Sequence, residues 1–167
     1  MTQTLHADAY LQVKKRGFIS DIQAAWRQPT SNDPNGWSRI RPAHGQCVVS
    51  ALKVQSRLQG EILRVMATTP SGKTVSHYVN LLPNGELLDV TASQFPDHTI
   101  FDPPMKDTLG TPNIDELRAA TQEHLDKRGF ASMREYLLSS PDTKARYETF
   151  EKEVQLAEQR RLQSRNR

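Results

Sequence analysis

Three residues of this chain have the types and the spacing that thiol chemistry requires: Cys47, His77 and Asp89. Cys47 follows Gly45 and Gln46 and opens a segment with apolar residues at helical spacing, so it is predicted to be the first residue of a helix. The positive end of a helix favours a thiolate, and a nearby imidazolium favours it further. The pattern therefore predicts a nucleophilic cysteine with a histidine base.

The turn between the strands that carry His77 and Asp89 decides whether the two side chains meet. A two-residue turn at 84–85 would put Asp89 opposite Asn80, on the other face of the sheet from His77. The segment 83–85 is Pro-Asn-Gly, which fits a three-residue loop with glycine in the left-handed position. In that register His77 and Asp89 are diagonal neighbours, roughly 7–8 Å apart at most. Asp89 is therefore predicted to orient the imidazole.

Each of these residues also has a plain structural interpretation. Cys47 is then a small buried hydrophobe, His77 a hydrogen-bonded strand histidine, and Asp89 a partner of local backbone amides. Their joint order on a helix and two strands favours the catalytic interpretation. For an oxyanion, the backbone N–H of Cys47 is the expected donor and the Gln46 side chain a possible second. Asn80 is the competing partner for the histidine, but it points to the opposite face.

The elements that position these residues follow from apolar periodicity and turn residues. A helix is predicted to end before Pro29, followed by a polar loop over 28–45. Trp37 in this loop either covers the site or fills the core, and the core is favoured. A buried helix is predicted over 47–59, with Gly60 in the left-handed position that ends it. A three-stranded antiparallel sheet is predicted on that helix, with strands at 61–68, 74–82 and 86–91.

The rest of the chain is predicted to be helical after an irregular stretch. Residues 92–112 contain several prolines and are predicted to have no regular structure. Start and stop signals then predict helices at 114–128, at 131–139 and from 141 onward. The last helix is predicted to pack as far as Ala157 and to fray beyond it, because its final residues have little to bury.

Composition limits the class of protein. The chain has 167 residues, 22 Lys+Arg against 19 Asp+Glu, and a net charge of +3. Its single cysteine excludes an internal disulfide and a cysteine-rich zinc site. No metal or nucleotide signature occurs, so no cofactor is expected. With no apolar leader or span, a cytoplasmic location without membrane contact is predicted, and the small charge excess argues against nucleic acid as a partner.

Several ordered blocks of the sequence resemble a small bacterial family of the YunG type. They are Trp-Ser at 37–38, Arg-Pro-Ala-His-Gly-Gln-Cys at 41–47, Gly-Glu-Ile-Leu at 60–63, Ser-His-Tyr-Val-Asn at 76–80, Asp-Val-Thr at 89–91 and Gln-Phe at 94–95. The resemblance covers about residues 26–96 and leaves the helical segment after 112 outside. Gln59 departs from the pattern, because the family tends to have glycine at that position.

The resemblance implies a fold similar to papain or to transglutaminases, by analogy in the order of cysteine, histidine and aspartate. It implies Cys47 as the nucleophile, His77 as the base and Asp89 as the residue that orients the base. The residues that it implies as supports of the site are Gln46, Asn80, Trp37 and Gln94.

Together, these observations predict an α+β protein with a papain/transglutaminase-like core at 1–112 and a helical C-terminal extension at 113–167. In the core, a central helix bearing Cys47 packs on a small antiparallel sheet. The predicted function is a cysteine-dependent hydrolase or acyl transferase, a class that includes peptidases, amidases, deamidases and transglutaminase-like enzymes. Its substrate is a peptide, protein or small-molecule amide. The alternative is a non-catalytic binding module whose basic C-terminal helix recognises an acidic protein or nucleic acid.

Overall fold

The computed structural model describes residues 2–166 and has a mixed α+β fold, which confirms the predicted class. The helices and strands in chain order are α1 (Thr2–Ala24), α2 (Cys47–Leu58), β1 (Glu61–Thr68), β2 (Thr74–Leu81), β3 (Leu87–Leu88), β4 (Ile100–Asp102), α3 (Ile114–Arg128), α4 (Met133–Leu138) and α5 (Pro141–Arg165). Short 3-10 turns lie in loops at Gln28–Thr30 and Ala92–Gln94. Over the described residues, the strands form an antiparallel sheet in the order β3-β2-β1-β4.

The helix α2 is the centre of the fold and begins at Cys47, as predicted. Apolar residues occur around most of its first two turns, so these turns are buried from every side. The helix contacts β2 and also α5. Leu52 of α2 and Phe150 of α5 are fully buried members of the same hydrophobic cluster. α2 therefore packs against both the sheet and the last helix.

The helices after residue 112 pack against the core. Leu125, Met133 and Tyr147 belong to the cluster that contains the buried residues of α2. Leu117 of α3 joins a second cluster with Leu63 of β1. The predicted C-terminal extension is thus helical, and its apolar side chains complete the burial of α2 and of the sheet.

The end of α5 differs from the prediction of a frayed tail. The helix continues past Ala157 to Arg165, although most of these last residues are exposed. The Arg161 guanidinium donates hydrogen bonds to both carboxylate oxygens of Asp21, at 2.8 and 3.0 Å. Asp21 on α1 is only 3% exposed. This ion pair ties the last turns of α5 to α1, a tertiary contact that the apolar pattern does not reveal.

The connection from α2 to β1 requires an unusual backbone. Gly60 has a φ of +86°, and a Cβ there would lie 2.1 Å from the carbonyl oxygen of Leu81. Gly60 therefore ends the helix in the left-handed region, as predicted, and lets β2 approach. Gln59 also has a positive φ, +66°, with a ψ of −162°. That conformation is strained for any residue other than glycine.

The hairpin between β2 and β3 has the predicted register. Asn80 pairs with Leu88 and Leu81 with Leu87, and the backbone of Leu82 bonds that of Glu86 around the 83–85 loop. β3 is shorter than the predicted strand over 86–91, because the chain leaves the ladder after Leu88. A local hydrogen bond between the carboxylate of Asp89 and the N–H of Thr91, at 3.2 Å, replaces the ladder there.

The sheet has a strand that the sequence interpretation missed. The stretch 92–112 was expected to be irregular, but it contains β4, which pairs with β1 so that Ala67 lies opposite Phe101. Among the described residues the sheet therefore has four strands, not the predicted three. β4 is only three residues long, and a strand that short has no measurable alternation of its own. It forms because the edge of β1 offers unpaired backbone groups.

Candidate active site

His77 lies on β2 and is completely buried. Its Nε2 atom lies 2.8 Å from Oδ2 of Asp89. The other carboxylate oxygen of Asp89 accepts the N–H of Thr91, which fixes the carboxylate. The ring edge of the imidazole contacts Phe95 at a centroid distance of 4.8 Å, in a T-shaped arrangement. The aspartate and the aromatic ring together hold the imidazole in one orientation.

The pKa of His77 is raised from its ordinary 6.5 to about 9. Burial acts to lower this pKa, but hydrogen bonds and charges of Asp89 and Cys47 outweigh it. Asp89 and Cys47 thus favour the charged form of the ring. Because Asp89 occupies Nε2, the ring nitrogen available to Cys47 is Nδ1.

Gln94 contacts the same ring nitrogen. Its Nε2 lies 3.0 Å from Nδ1 of His77 and 3.2 Å from Oγ1 of Thr91. An amide N–H that points at Nδ1 stabilises the neutral ring, whereas a protonated Nδ1 requires an acceptor in that place. The Gln94 carboxamide and the Cys47 sulfur thus compete for Nδ1 of His77. Gln94 therefore influences whether this nitrogen carries a proton.

Cys47 is the first residue of α2, and the residue is 6% exposed. Its backbone N–H belongs to the first helical turn, where N–H groups have no partner within the helix. The backbone that leads to Cys47 is fixed at Gly45, which has a φ of +70°. Gly45 lies so close to Ser31 that a Cβ on it would be 2.2 Å from the hydroxyl oxygen of Ser31. Ser31 also donates to the carbonyl oxygen of His44 at 2.8 Å. The segment around Ser31 therefore clamps the loop that presents the thiol.

The structure gives Gln46 a different environment from that of an oxyanion donor. The side chain is fully buried, its Nε2 donates to the carbonyl oxygen of Arg27, and its Oε1 accepts from the hydroxyl of Thr30, each at 2.8 Å. Both ends of the carboxamide are engaged in holding the 27–30 turn against the start of α2. The role of Gln46 as a second oxyanion donor stays a prediction, because one N–H and the oxygen of its carboxamide are used in the scaffold.

Asn80 and Trp37 also serve the scaffold. Asn80 is buried and donates to the carbonyl oxygen of Ala51 at 3.0 Å, so it points to α2, on the opposite face of β2 from His77, as predicted. Trp37 was expected in the core, but it is only half-buried. Its Nε1 donates to the carbonyl oxygen of Pro42 at 2.9 Å. Because the indole ring packs on its own loop, it braces the segment that leads to Cys47.

A second histidine, His44, lies beside the site, and no motif in the sequence singles it out. The Nε2 atom of His44 is 2.8 Å from Oδ2 of Asp33. This hydrogen bond is the main cause that lowers the pKa of Asp33. The two residues lie eleven positions apart in an irregular loop, so no helical or strand spacing relates them. The one available signal is that His44 lies in the block that precedes Cys47.

Cys47 opens into a surface cleft with a volume of about 410 Å³. Three segments line the cleft, at 32–47, 69–76 and 94–96. A neighbouring depression of about 430 Å³ shares Arg41, His44 and the 94–96 segment with it and extends to Ile40. The thiol therefore faces an open groove, not a closed cavity.

The fold and the site define a class of α+β proteins in which a cysteine at the start of the central helix faces a buried histidine–aspartate pair. The chain belongs to the YunG protein family, whose sequence model matches residues 16–159. This match extends over the C-terminal helices, which the expected limits of 26–96 left out. No curated protein and no solved structure matches the chain. Among residues 2–166, none of the helices combines the length and apolarity that crossing a bilayer requires.

Proposed function

We propose that the protein is a cysteine-dependent hydrolase or acyl transferase that attacks an amide or thioester carbonyl through Cys47. The observation that carries the proposal is the environment of His77. Asp89 holds one ring nitrogen at 2.8 Å, and Cys47 is among the groups that raise the pKa of the ring. A buried imidazolium beside a thiol at a helix start favours the thiolate, which is the reactive form of cysteine.

The proposed reaction begins with attack of the Cys47 sulfur on the carbonyl carbon. A C–S bond forms, and the electron pair of the carbonyl moves to oxygen, where the backbone N–H of Cys47 stabilises the negative charge. The bond to the leaving group then breaks, and Nδ1 of His77 gives the leaving group its proton. Water or an amine then attacks the thioester carbonyl and gives a proton to the neutral His77 ring. The C–S bond breaks, which releases the acyl product and restores the Cys47 thiolate and the His77 imidazolium. Asp89 orients the ring throughout.

A papain-like or transglutaminase-like core is part of the same proposal. It is supported by the order of the elements, with the cysteine at the start of α2, the histidine on β2 and the aspartate directly after β3. The division into a core at 1–112 and an extension at 113–167 belongs to this proposal as well. Hydrolysis and transfer share the first half of the reaction and differ only in the acceptor.

The binding-module alternative has less support. It depends on a basic C-terminal helix, but α5 carries six lysines and arginines against five aspartates and glutamates. One of the six cations, Arg161, is also paired within the protein, with Asp21 on α1. We therefore propose the catalytic function alone.

The single cysteine makes a direct test possible. The rate of alkylation by the neutral reagent iodoacetamide is measured at pH 6 for the folded protein and for the same chain in urea. An ordinary thiol with a pKa near 8.5 is only about 0.3% thiolate at that pH, so we expect the folded protein to react at least roughly tenfold faster. Ultraviolet absorbance of the thiolate, compared with that of C47S, reports the same charge without depending on access of the reagent.

Two variants distinguish a stabilised thiolate from a cysteine that reacts only because the reagent can reach it. H77Q is expected to abolish both the fast alkylation and the thiolate absorbance, because the imidazolium partner is gone. His98, an exposed histidine outside the site, provides the matched control H98Q. If wild type at pH 6 shows no thiolate absorbance above C47S, and reacts no faster than the unfolded chain, the proposed function is wrong.

A further inference from the structure

The cleft in front of Cys47 carries an excess of positive charge. The titratable side chains along its walls are Asp33, Arg41, His44 and Lys73. Asp33 already has a partner, because it accepts the hydrogen bond from His44 at 2.8 Å. Within residues 2–166, neither Arg41 nor Lys73 lies within 4.0 Å of a carboxylate as an ion pair. The cleft thus holds two cations against one carboxylate.

The two cations lie on different walls. Arg41 belongs to the segment that leads to Cys47, whereas Lys73 lies directly before β2, four residues before His77. Lys73 is close enough to Asp33, across the cleft, that its charge contributes to lowering the pKa of that carboxyl. Arg41 lines both the cleft and the neighbouring depression. Two walls of the cleft therefore carry one cation each.

The catalytic pair leaves these cations available. A Cys47 thiolate and a His77 imidazolium neutralise each other, and the Asp89 carboxylate, which is bonded to the imidazole, does not line this cleft. Phe95 and Val75 provide apolar surface in the same cleft. An organic anion of small size fits this combination, because its carbon part contacts the apolar wall while its charge meets the two side chains.

We propose that the acyl substrate carries a carboxylate close to the carbonyl that Cys47 attacks, and that Arg41 and Lys73 bind this carboxylate. The inference rests on the proposed function and adds the substrate class. Arginine can bind a carboxylate through two parallel hydrogen bonds, and lysine adds a point charge. The two residues are thus specificity determinants, separate from Cys47, His77 and Asp89.

Two alkylating reagents of nearly equal size test the inference. Iodoacetate carries a carboxylate next to the reacting carbon and iodoacetamide a neutral amide. In both, the Cys47 sulfur bonds to the methylene carbon and iodide leaves. The ratio of the two rates at Cys47 is compared with the ratio for the same thiol in the urea-unfolded chain. We expect the ratio of the iodoacetate rate to the iodoacetamide rate to be about tenfold higher in the folded protein than in the unfolded chain. This difference should shrink as salt is added.

Charge-removing variants assign the preference to residues. R41Q and K73Q are each expected to lower the ratio about threefold and the double variant about tenfold, while iodoacetamide alone reacts as fast as with wild type. Both side chains are exposed, so the fold does not depend on them. R39Q is the matched control, because Arg39 is an exposed arginine in the same loop that does not line the cleft. We expect it to leave the ratio unchanged.

The outcomes separate this inference from the function on which it rests. Fast reaction with iodoacetamide, together with a ratio equal to that of the unfolded chain, overturns the carboxylate preference and leaves the reactive thiol standing. A preference that persists in the R41Q/K73Q double variant overturns the assignment to these two residues. Slow reaction with both reagents, without thiolate absorbance, overturns the proposed function and the inference together.

Discussion

The Nε2 atom of His77 lies 2.8 Å from Oδ2 of Asp89, twelve residues further along the chain. The contact depends on the three-residue loop at 83–85, since a loop one residue shorter would turn Asp89 to the other face of the sheet. It leaves Nδ1 as the ring nitrogen for Cys47 and Gln94. The charge of the imidazole is therefore controlled by three side chains from three parts of the chain.

Substitution of Asp89 should lower the pKa of His77. D89N keeps the shape of the side chain but removes the carboxylate that favours the imidazolium, so the midpoint should fall from about 9 toward the ordinary 6.5. C47A should also lower it, because Cys47 is among the groups that raise this pKa. NMR titration of the imidazole measures both shifts. D97N, at an exposed aspartate outside the site, is the control, and a D89N midpoint equal to that of wild type would contradict the assignment.

The same pKa shift predicts how stability depends on pH. The folded protein binds the His77 proton more tightly than the unfolded chain does, because the pKa is about 9 when folded against 6.5. This contribution is complete below pH 6.5 and is lost as the pH rises through about 9, a change of roughly 3 kcal/mol in the free energy of unfolding. Urea unfolding at pH 6 and pH 10 measures it. The loss should be smaller in H77Q, and an equal loss in both proteins would argue against His77 as its source.

Gln94 should hold the pKa of His77 below the value that Asp89 and Cys47 alone would set. Its amide nitrogen lies 3.0 Å from Nδ1, a contact that favours the neutral ring. Q94L removes this donor, so the midpoint of the imidazole should rise by roughly half a unit to one unit, the equivalent of one hydrogen bond. Q94E should raise it at least as much, because a carboxylate accepts from Nδ1–H. If the midpoint falls in Q94L, Gln94 does not act on the proton of His77.

The hairpin that builds the site could be predicted because its geometry is local. Proline and glycine at the ends of the 83–85 loop select a three-residue turn, and Gly85 has the expected positive φ of +87°. That turn sets the register and therefore the face on which Asp89 lies. The start of α2 at Cys47 is local in the same sense, because the apolar pattern begins there.

The features that escaped prediction depend on contacts between distant segments. The carboxamide of Gln46 bonds Arg27 and Thr30, and nothing in its own segment indicates this. β4 forms on the edge of β1 although the intervening chain is long. The pair of His44 and Asp33 forms across an irregular loop. Periodicity and turn residues describe neighbours in sequence, so they carry no signal for such pairs.

The ion pair between Arg161 and Asp21 should contribute to stability. R161M removes the guanidinium and leaves Asp21 unpaired at 3% exposure, which should lower the free energy of unfolding by roughly 2–3 kcal/mol. Chemical denaturation measures the difference. R165M, at an exposed position of the same helix, should have little effect. The double variant D21L/R161M should recover part of the loss, and equal effects of R161M and R165M would show that the pair does not stabilise the end of α5.

Replacement of Gln59 by glycine should stabilise the protein, although glycine in a folded chain ordinarily destabilises. Gln59 has a φ of +66° and a ψ of −162°, a conformation that costs a residue with a side chain roughly 1–3 kcal/mol. Glycine relieves this strain but makes the unfolded chain more flexible, at a cost of up to about 1 kcal/mol. The expected net gain for Q59G is therefore about 1 kcal/mol in the free energy of unfolding, measured by chemical denaturation.

S56G, three residues earlier on an exposed side of α2, is the matched control and should lose roughly 0.5 kcal/mol. If Q59G loses stability as S56G does, the backbone at Gln59 stores no strain. The rate of Cys47 alkylation should be the same in both variants, because the substitutions lie at the opposite end of the helix from the thiol.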